Sequence, residues 1–541
     1  MKKSLLVIIA AIVLIFISFS PSSSGAKGYT DSTSALSSLY TAYSYGLIDY
    51  ETFMLYRFLS VVDPDRVPSQ FKVEEERTIH RCATQEINEV QRYINYFSPE
   101  NKKKIMEYLF DKQPIAFKKG TGKSYKTERI EGINGTWNIY RTDNFAIKWG
   151  DVAYEYVHVK VKNKWEWKWV GVNLVDDNNN GFPDIIDKWA EYLEKSWEVE
   201  VNEMGLIIPR GSQENLIDIY IANSSGRKPK LGPSDYAYTT TYSDGMPYLV
   251  VNNFLPETPN QDPAGQEIGA IKVTAAHEFS HAIQFAYDRN EAKWWQEASA
   301  TWMEDRVFNE VNDYYQYLSK GAWSANPEIT LTRANGEHEY GDVIWAKYLS
   351  QYYGGREIFK DIWELCKKYS ALKAHKIFFK NKVTTLDKAF EDFSAKNAAM
   401  KASYEEGENY ASVHTIMEHD AYSVNNEVID SSKYFPRPPS YLGANYIKFT
   451  NGDGRTLRIT FDGSKRYAGR KIKWGAVVVK IDSNGIPEDN EIELSPDQKG
   501  SIDILGFGST YTEVYLVLSV LSGGPGNFSK GVSYRYSAEL Q

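Results

Sequence analysis

Only two cysteines, Cys82 and Cys366, occur in 541 residues, which excludes a disulfide-stapled scaffold. Histidine is scarce too: there are eight, so any close pair stands out. Basic excess is missing, since 62 Lys and Arg against 71 Asp and Glu leave a net charge of −9. That balance argues against a nucleic-acid backbone as the main partner. The chain also lacks internal repeats and low-complexity tracts. One long apolar run exists, Leu5–Phe19, and at about 15 residues it is short of the roughly 20 a membrane span needs. Lys2 and Lys3 precede it and Ser20–Gly25 follow, which predicts a signal peptide over residues 1–26 with cleavage near Ser24-Gly25-Ala26. The expected protein is exported and secreted, touching a membrane only through an uncleaved signal.

What remains is ordinary globular material, 42% hydrophobic and 25% charged, long enough for three or four domains. The 39 Tyr and 14 Trp suit β-rich or extended binding surfaces. Residues 27–130 are mostly polar and predict helices, among them Thr84–Phe97, with Thr84 as a potential N-cap, and Glu100–Leu109. Over 137–149 and 152–171 apolar and polar residues alternate as in half-buried strands, and Leu216–Ala222 and Tyr248–Asn252 predict two more. Helical spacing governs Gln266 to Tyr353 and closes at Gly354-Gly355. Past Pro436-Arg437-Pro438-Pro439 come short alternating segments between Gly, Asp and Asn turns, which predict an antiparallel β-sandwich over 433–541.

The chemistry is concentrated in Thr274-Ala275-Ala276-His277-Glu278-Phe279-Ser280-His281-Ala282-Ile283-Gln284. Four residues apart on a helix, His277 and His281 share a face and can bind one ion. Zinc favours such neutral nitrogen donors, and Glu278 beside them can take a proton from a water that the metal acidifies. With eight histidines in the chain, chance supplies roughly 0.01 such matches. Unpaired imidazoles on a helix flanked by Ala275, Ala276, Phe279 and Ile283 would be costly. The third ligand is expected downstream in Trp294-Trp295-Gln296-Glu297-Ala298-Ser299-Ala300-Thr301-Trp302-Met303-Glu304-Asp305. Glu297 among small and aromatic neighbours needs a cation if buried. Glu304, two helical turns on, is placed either to hold a ligand His or on the helix surface.

The two stretches resemble the gluzincin clan of zinc metallopeptidases, whose third ligand is a Glu on the next helix. With Trp302-Met303-Glu304-Asp305 and Val311-Asn312-Asp313-Tyr314 added, the segment is most similar to the secreted MXAN-type metalloproteases. The resemblance implies His277, His281 and Glu297 as zinc ligands and Glu278 as general base, over roughly residues 135–450. Ala298 and Ser299 depart from the Gly and Phe usual after that Glu. A zincin also needs an oxyanion donor. Tyr340 is the choice and His338 the alternative, with Asp342 a weaker rival to Glu297 as ligand. Substrate is expected to pair with an edge strand, here Tyr248–Asn252.

A second ion site is predicted in Asp176-Asp177-Asn178-Asn179-Asn180-Gly181-Phe182-Pro183-Asp184-Ile185-Ile186-Asp187. Asp176, Asn178, Asn180, Asp184 and Asp187 stand at the oxygen positions of a calcium loop with Gly181 at its turn. Cys82 and Cys366 have three readings: one bridge, two buried thiols, or an N-terminal thiolate masking a metal. The expected whole is a multidomain α+β protein. A signal peptide (1–26) and a helical pro-region (27–130) precede a zincin-like domain with a helical active-site core (131–432) and a β-sandwich (433–541). The expected activity is a secreted zymogen of a zinc endopeptidase acting on polypeptides. The alternative is a zincin-fold surface-binding or adhesion protein without turnover.

Overall fold

The computed structural model describes residues 35–71, 80–120, 122–124, 127–132, 135–161, 164–224, 228–255, 258–320, 323–420, 425–523 and 531–541. The expected signal segment lies outside them. Among the described residues no helix is long and apolar enough to cross a membrane.

Helices α1 (Ala35–Ser44) and α2 (Tyr50–Val62) precede strand β1 (His80–Cys82) and helices α3 (Thr84–Tyr93) and α4 (Pro99–Met106). Asp49 caps α2 through the Thr52 amide, and Ser98 caps α4 with Pro99 in the first turn, where its missing N–H costs nothing. Then come β2 (Glu128–Gly132), β3 (Gly135–Arg141), β4 (Phe145–Trp149), the hairpin β5 (Ala153–Val161) and β6 (Lys164–Val172), and helix α5 (Asp184–Trp197). Strands β7 (Ile217–Ile221), β8 (Asp235–Thr241) and β9 (Pro247–Val251) follow. Seven strands form one mixed sheet in the order β1-β8-β9-β7-β4-β3-β2. The pairs β1–β8, β7–β9 and β4–β7 are parallel.

The period of two sorts side chains onto two faces. Ile217, Ile219, Ile221, Leu249 and Val251 face α5 and the later helices. Tyr220, Tyr248, Val250, Trp137 and Ile139 face the N-terminal helices, sharing a core with Phe58, Leu59, Ile87 and Phe110. The N-terminal region is therefore a full layer of the structure. The expected boundary at 130/131 runs through β2, and β1 extends the sheet. These residues read as mostly polar because each short helix shows the sheet only one apolar stripe.

On the first face lie α6 (Gln266–Asp288) and α7 (Lys293–Val307), followed by α8 (Val343–Tyr353), α9 (Glu357–Cys366), α10 (Ala371–Asn381) and α11 (Leu386–Ala398). Almost every side chain from Gly269 to Gln284 is buried, and Gly269, Ala270, Ala275, Ala276 and Ala282 let α6 sit close to its neighbours. The C-terminal part holds two further sheets, in the orders β10-β12-β17-β14-β15 and β11-β18-β13-β16. These strands are β10 (Met417–Asp420), β11 (Ile429–Asp430), β12 (Ala444–Thr450), β13 (Leu457–Asp462), β14 (Trp474–Asp482), β15 (Pro487–Glu491), β16 (Lys499–Ile504), β17 (Tyr511–Val520) and β18 (Arg535–Leu540). The sheets face each other through Phe461 against Trp474 and His419 against Tyr536. Two details differ from expectation. Strands β10 and β11 precede residue 433, and β10 pairs with β12 in parallel. A four-residue strand and a two-residue strand are too short for their alternation to register in a sequence.

Helix α5 continues as a π-helical turn, Glu198–Glu203, which carries the fully buried Glu200. Burial pushes its carboxyl well above 4.5, outweighing the Ser280 hydroxyl and the His277 charge. Below about 4.5 both folded and unfolded chains hold this proton. As pH rises beyond that, the unfolded chain ionises while the folded one does not, so wild-type stability falls. Glu200→Gln removes that loss. Its stability relative to wild type is expected to rise from pH 4.5 to 8 by about 1.4 kcal/mol per pH unit until Glu200 itself ionises, read as a widening gap in melting temperature. A gap that stays flat across this range in thermal unfolding would show Glu200 charged in the folded state.

Candidate metal centre

Helix α6 places His277 and His281 on one face, and α7, packed against it, brings up Glu297. The two Nε2 atoms are 3.1 Å apart, and Glu297 Oε2 is 3.1 Å from His277 Nε2 and 3.6 Å from His281 Nε2. A fourth donor arrives from β1: Cys82 Sγ stands 3.3 Å from His281 Nε2. Donor atoms of all four residues lie within 4.8 Å of one another, and all four side chains are buried. Among the described residues this is the one such group of His, Cys, Asp and Glu that could hold a metal ion.

The far sides of the imidazoles decide their protonation. His277 Nδ1 is 2.7 Å from Glu304 Oε1, and His281 Nδ1 is 2.9 Å from Gln284 Oε1. Gln284 is oriented by donating to Gln296 O and to Ser299 Oγ, whose own hydroxyl is donated to Trp295 O. Ser299, the departure from the gluzincin pattern, thus fixes the amide that fixes His281. With its hydrogen on Nδ1, facing Glu304 or Gln284, a neutral ring would turn a lone pair inward. Two imidazole lone pairs and a carboxylate oxygen then converge on one point beside a sulfur. Bond lengths of about 2.1 Å in a tetrahedron give donor separations of about 3.4 Å; the three separations among His277, His281 and Glu297 and that from Cys82 to His281, 3.1–3.6 Å, bracket that value, and all six lie within 4.8 Å. The donor set fits a divalent cation.

A proton and a dication compete for this point. Burial lowers His277, but hydrogen bonds to Glu297 and Glu304 outweigh it and raise His277 to about 10. Against its burial, Glu297 is held well below the usual carboxylate range by His281 and His277. Burial, with the Glu278 and Glu297 carboxylates, pushes the Cys82 thiol up. Ligation would therefore release protons.

Glu278 lies beside the group. Its Oε2 accepts from Thr84 Oγ1 at 2.9 Å and from Thr239 Oγ1 at 2.7 Å, whereas Oε1 is buried without a partner. Tyr340 stacks on His277 with ring centres 6.1 Å apart, and its hydroxyl points at Cys82 O from 3.5 Å. His338 turns to Asp342 at 3.5 Å, and neither belongs to the four-residue group. Glu304 is buried against His277, while Asp305 pairs with Lys347 at 2.5 Å.

Two expectations change, and the cysteine alternatives narrow. Strand β9, which contains Tyr248, is flanked on both sides by β8 and β7, and the strand nearest the sheet edge beside the site is β8, covered by β1. A continuous apolar run marks burial, which is why it could not mark an edge. Thr84 is the first residue of α3, not its cap, because its hydroxyl serves Glu278 and accepts the Thr239 N–H. Cys82 and Cys366 are both free thiols. Gln85, unnoticed in the sequence, donates to Glu297 Oε1 at 2.6 Å.

In the loop 176–187 the structure draws the five expected residues together. Asp176 accepts from the Asn180 and Gly181 amides, and Asn178 and Asn180 donate to Asp187, with Asn178 also reaching Asp184. Gly181 takes a positive φ of 93° at the turn.

A model of the DUF6055 family, described as a family of unknown function, matches residues 164–532. The match includes His277, Glu278, His281 and Glu297 and leaves Cys82 outside. No curated protein matches the chain. Among solved structures, a family GH115 4-O-methyl-alpha-glucuronidase, BtGH115A, with specificity for decorated arabinogalactans, is 9% identical with a TM-score of 0.14. The alignment covers 51% of this chain and 38% of that one, and a likeness this slight carries no argument.

Removing the acceptor behind a ligand imidazole typically weakens metal binding about 10- to 100-fold. Glu304→Ala is expected to lose zinc affinity by that factor in competition with a chromogenic chelator. Unchanged affinity would mean that Glu304 does not orient His277.

Proposed function

The chain belongs to the DUF6055 family, whose description assigns no activity, and we propose that it is an exported zinc-dependent peptidase of the gluzincin type acting on polypeptides. The observation that carries the reading is the convergence of inward lone pairs from His277, His281 and Glu297 with the half-partnered carboxylate of Glu278 alongside. The residues that would hold zinc are these three, with Cys82 as fourth donor in this arrangement. When bound, zinc supplies a lowered pKa for water and polarisation of a carbonyl. Glu278 takes the proton of the attacking water and passes it to the leaving amine. Tyr340, directed at a peptide carbonyl beside the ligands, donates to the developing oxyanion. Glu304 and Gln284 keep both imidazoles in the tautomer that binds metal. The basic start and apolar run of residues 2–26 support export.

A second reading draws on the closure of the set. Four protein donors are what a structural zinc site uses, and a zincin-fold binding protein would need no more. Glu278 separates the two readings, because a structural site needs no further carboxylate beside its ligands and Glu278 is not one of the four donors. We also propose calcium as the ion of the loop 176–187, bracing the entry to α5.

Since the Cys82 thiol stands in the fourth position, turnover is measured with Cys82→Ala. In that background, zinc-loaded protein is expected to digest casein and to stop on chelation. Adding Glu278→Gln is expected to retain zinc and lose about 100-fold or more in rate. Zinc-loaded Cys82→Ala without any turnover would favour the structural reading. For the loop, calcium is expected to raise the melting temperature of wild type and not of Asp187→Ala; equal shifts would overturn that assignment.

A further inference from the structure

We infer that residues 80–85 are a built-in inhibitor of this centre, a tethered segment that holds the substrate cleft with Cys82 as its metal-directed side chain. This rests on the peptidase reading and adds its regulation. The segment meets His281, Glu278, Glu297 and Tyr340 at once. Cys82 Sγ completes the donor set 3.3 Å from His281 Nε2. Two residues on, Thr84 occupies the general base at 2.9 Å, and Gln85 holds the carboxylate ligand at 2.6 Å and Gln296 at 2.9 Å. The Cys82 carbonyl lies where Tyr340 points. No part of this set is open to a substrate, since His277, His281, Glu278 and Glu297 are each no more than 4% exposed.

The segment also takes the place that an extended peptide needs. Strand β1 adds to the edge of the sheet on β8, with Cys82 opposite Ala237, and the Ala83 amide donates to Ala237 O at 2.9 Å. At Thr84 the chain turns into α3, and its hydroxyl replaces the next backbone acceptor by taking the Thr239 N–H at 2.7 Å. Helix α3 continues along the same edge: Asn88 and Gln91 donate to the carbonyls of Thr239 and Thr241, and Arg289 reaches Asn88, Gln91 and Thr241. A β-augmenting substrate would need those edge groups. The segment is not itself cut because it offers a sulfur, not a carbonyl, to the ion. On ligation the thiol gives its proton to solvent and regains one on release, with no change of oxidation state. A purely structural fourth ligand would have no reason to be followed by residues that engage the base and the Glu297 carboxylate.

The test uses full-length protein, stripped of metal and reloaded with cobalt(II), together with Cys82→Ala. Expected is a thiolate-to-cobalt charge-transfer band in wild type that is lost in the variant while the ligand-field bands persist. With zinc, the variant is expected to digest casein about tenfold faster than wild type or more, since a tethered competitor acts at high effective concentration. Ligand-field bands without charge transfer in wild type, or equal and measurable turnover of the two proteins, would overturn the inhibitor and leave the peptidase reading intact, whereas turnover in neither would overturn both. Ligand-field bands in neither would end both. Should Cys82→Ala fail to fold, the wild-type spectrum decides ligation, and Thr84→Ala and Gln85→Ala supply the turnover arm, expected above wild type; rates at the wild-type level overturn it.

Discussion

Inward-facing lone pairs set the terms for this structure. If both rings are neutral with their hydrogens on the far side, the two imidazole nitrogens at 3.1 Å repel one another, and the carboxylate 3.1 Å from one of them adds to the repulsion. In a dry interior such an arrangement needs a proton or a metal ion at its centre, and the rise of His277 to about 10 marks the proton's hold on it. The surrounding fold is organised to hold it. Small residues along α6, with Ala298 and Ala300 on α7, bring two helices close enough for ligands from both to meet. Glu304 and Gln284 lock the rings, and Ser299 locks Gln284.

What could be read from the sequence follows from how far each contact spans. His277 and His281 are four residues apart, and Glu297 and Glu304 fall on the next helix at two-turn spacing, so local periodicity placed them. Cys82, Thr84 and Gln85 reach the same site across 199, 194 and 212 residues. No periodic pattern encodes such pairings, and a polar segment with one cysteine looks like any other. The same limit explains the strand at Tyr248. Its apolar run announced burial correctly, but which strand lies at an edge is a property of sheet order, fixed by pairings distant in sequence. The hairpin and most C-terminal strands were legible because each is a local alternation.

The aromatic abundance has a structural destination. Tyr220, Tyr238, Tyr242 and Tyr248 stand on the sheet face covered by the N-terminal helices, all essentially buried. The Tyr242 hydroxyl donates to Asp218 at 2.6 Å and lies 2.9 Å from that of Tyr220, and Lys148 closes the network with Asp218 at 2.7 Å. A polar tip on an apolar body suits a layer that must be both packed and specific. This face also constrains how the inhibitory segment can act. Phe58, Leu59 and Phe110 would leave these rings uncovered if the whole N-terminal layer were lost, so relief confined to β1 and the start of α3 disturbs far less apolar surface.

On the peptidase reading, Glu278 is the residue that would set a site for turnover apart from a site for stability. Its Oε2 is held by two hydroxyls and its Oε1 by none, in a position fully removed from solvent. Leaving such an atom unpaired costs about 1–3 kcal/mol. One of the two hydroxyls, from Thr84, belongs to the segment that also brings the sulfur. The same six residues therefore satisfy the base and close the metal position, and their departure would free both together. A carboxylate with one oxygen anchored by Thr239 and the other free is then poised for proton transfer, which is the condition a general base must meet.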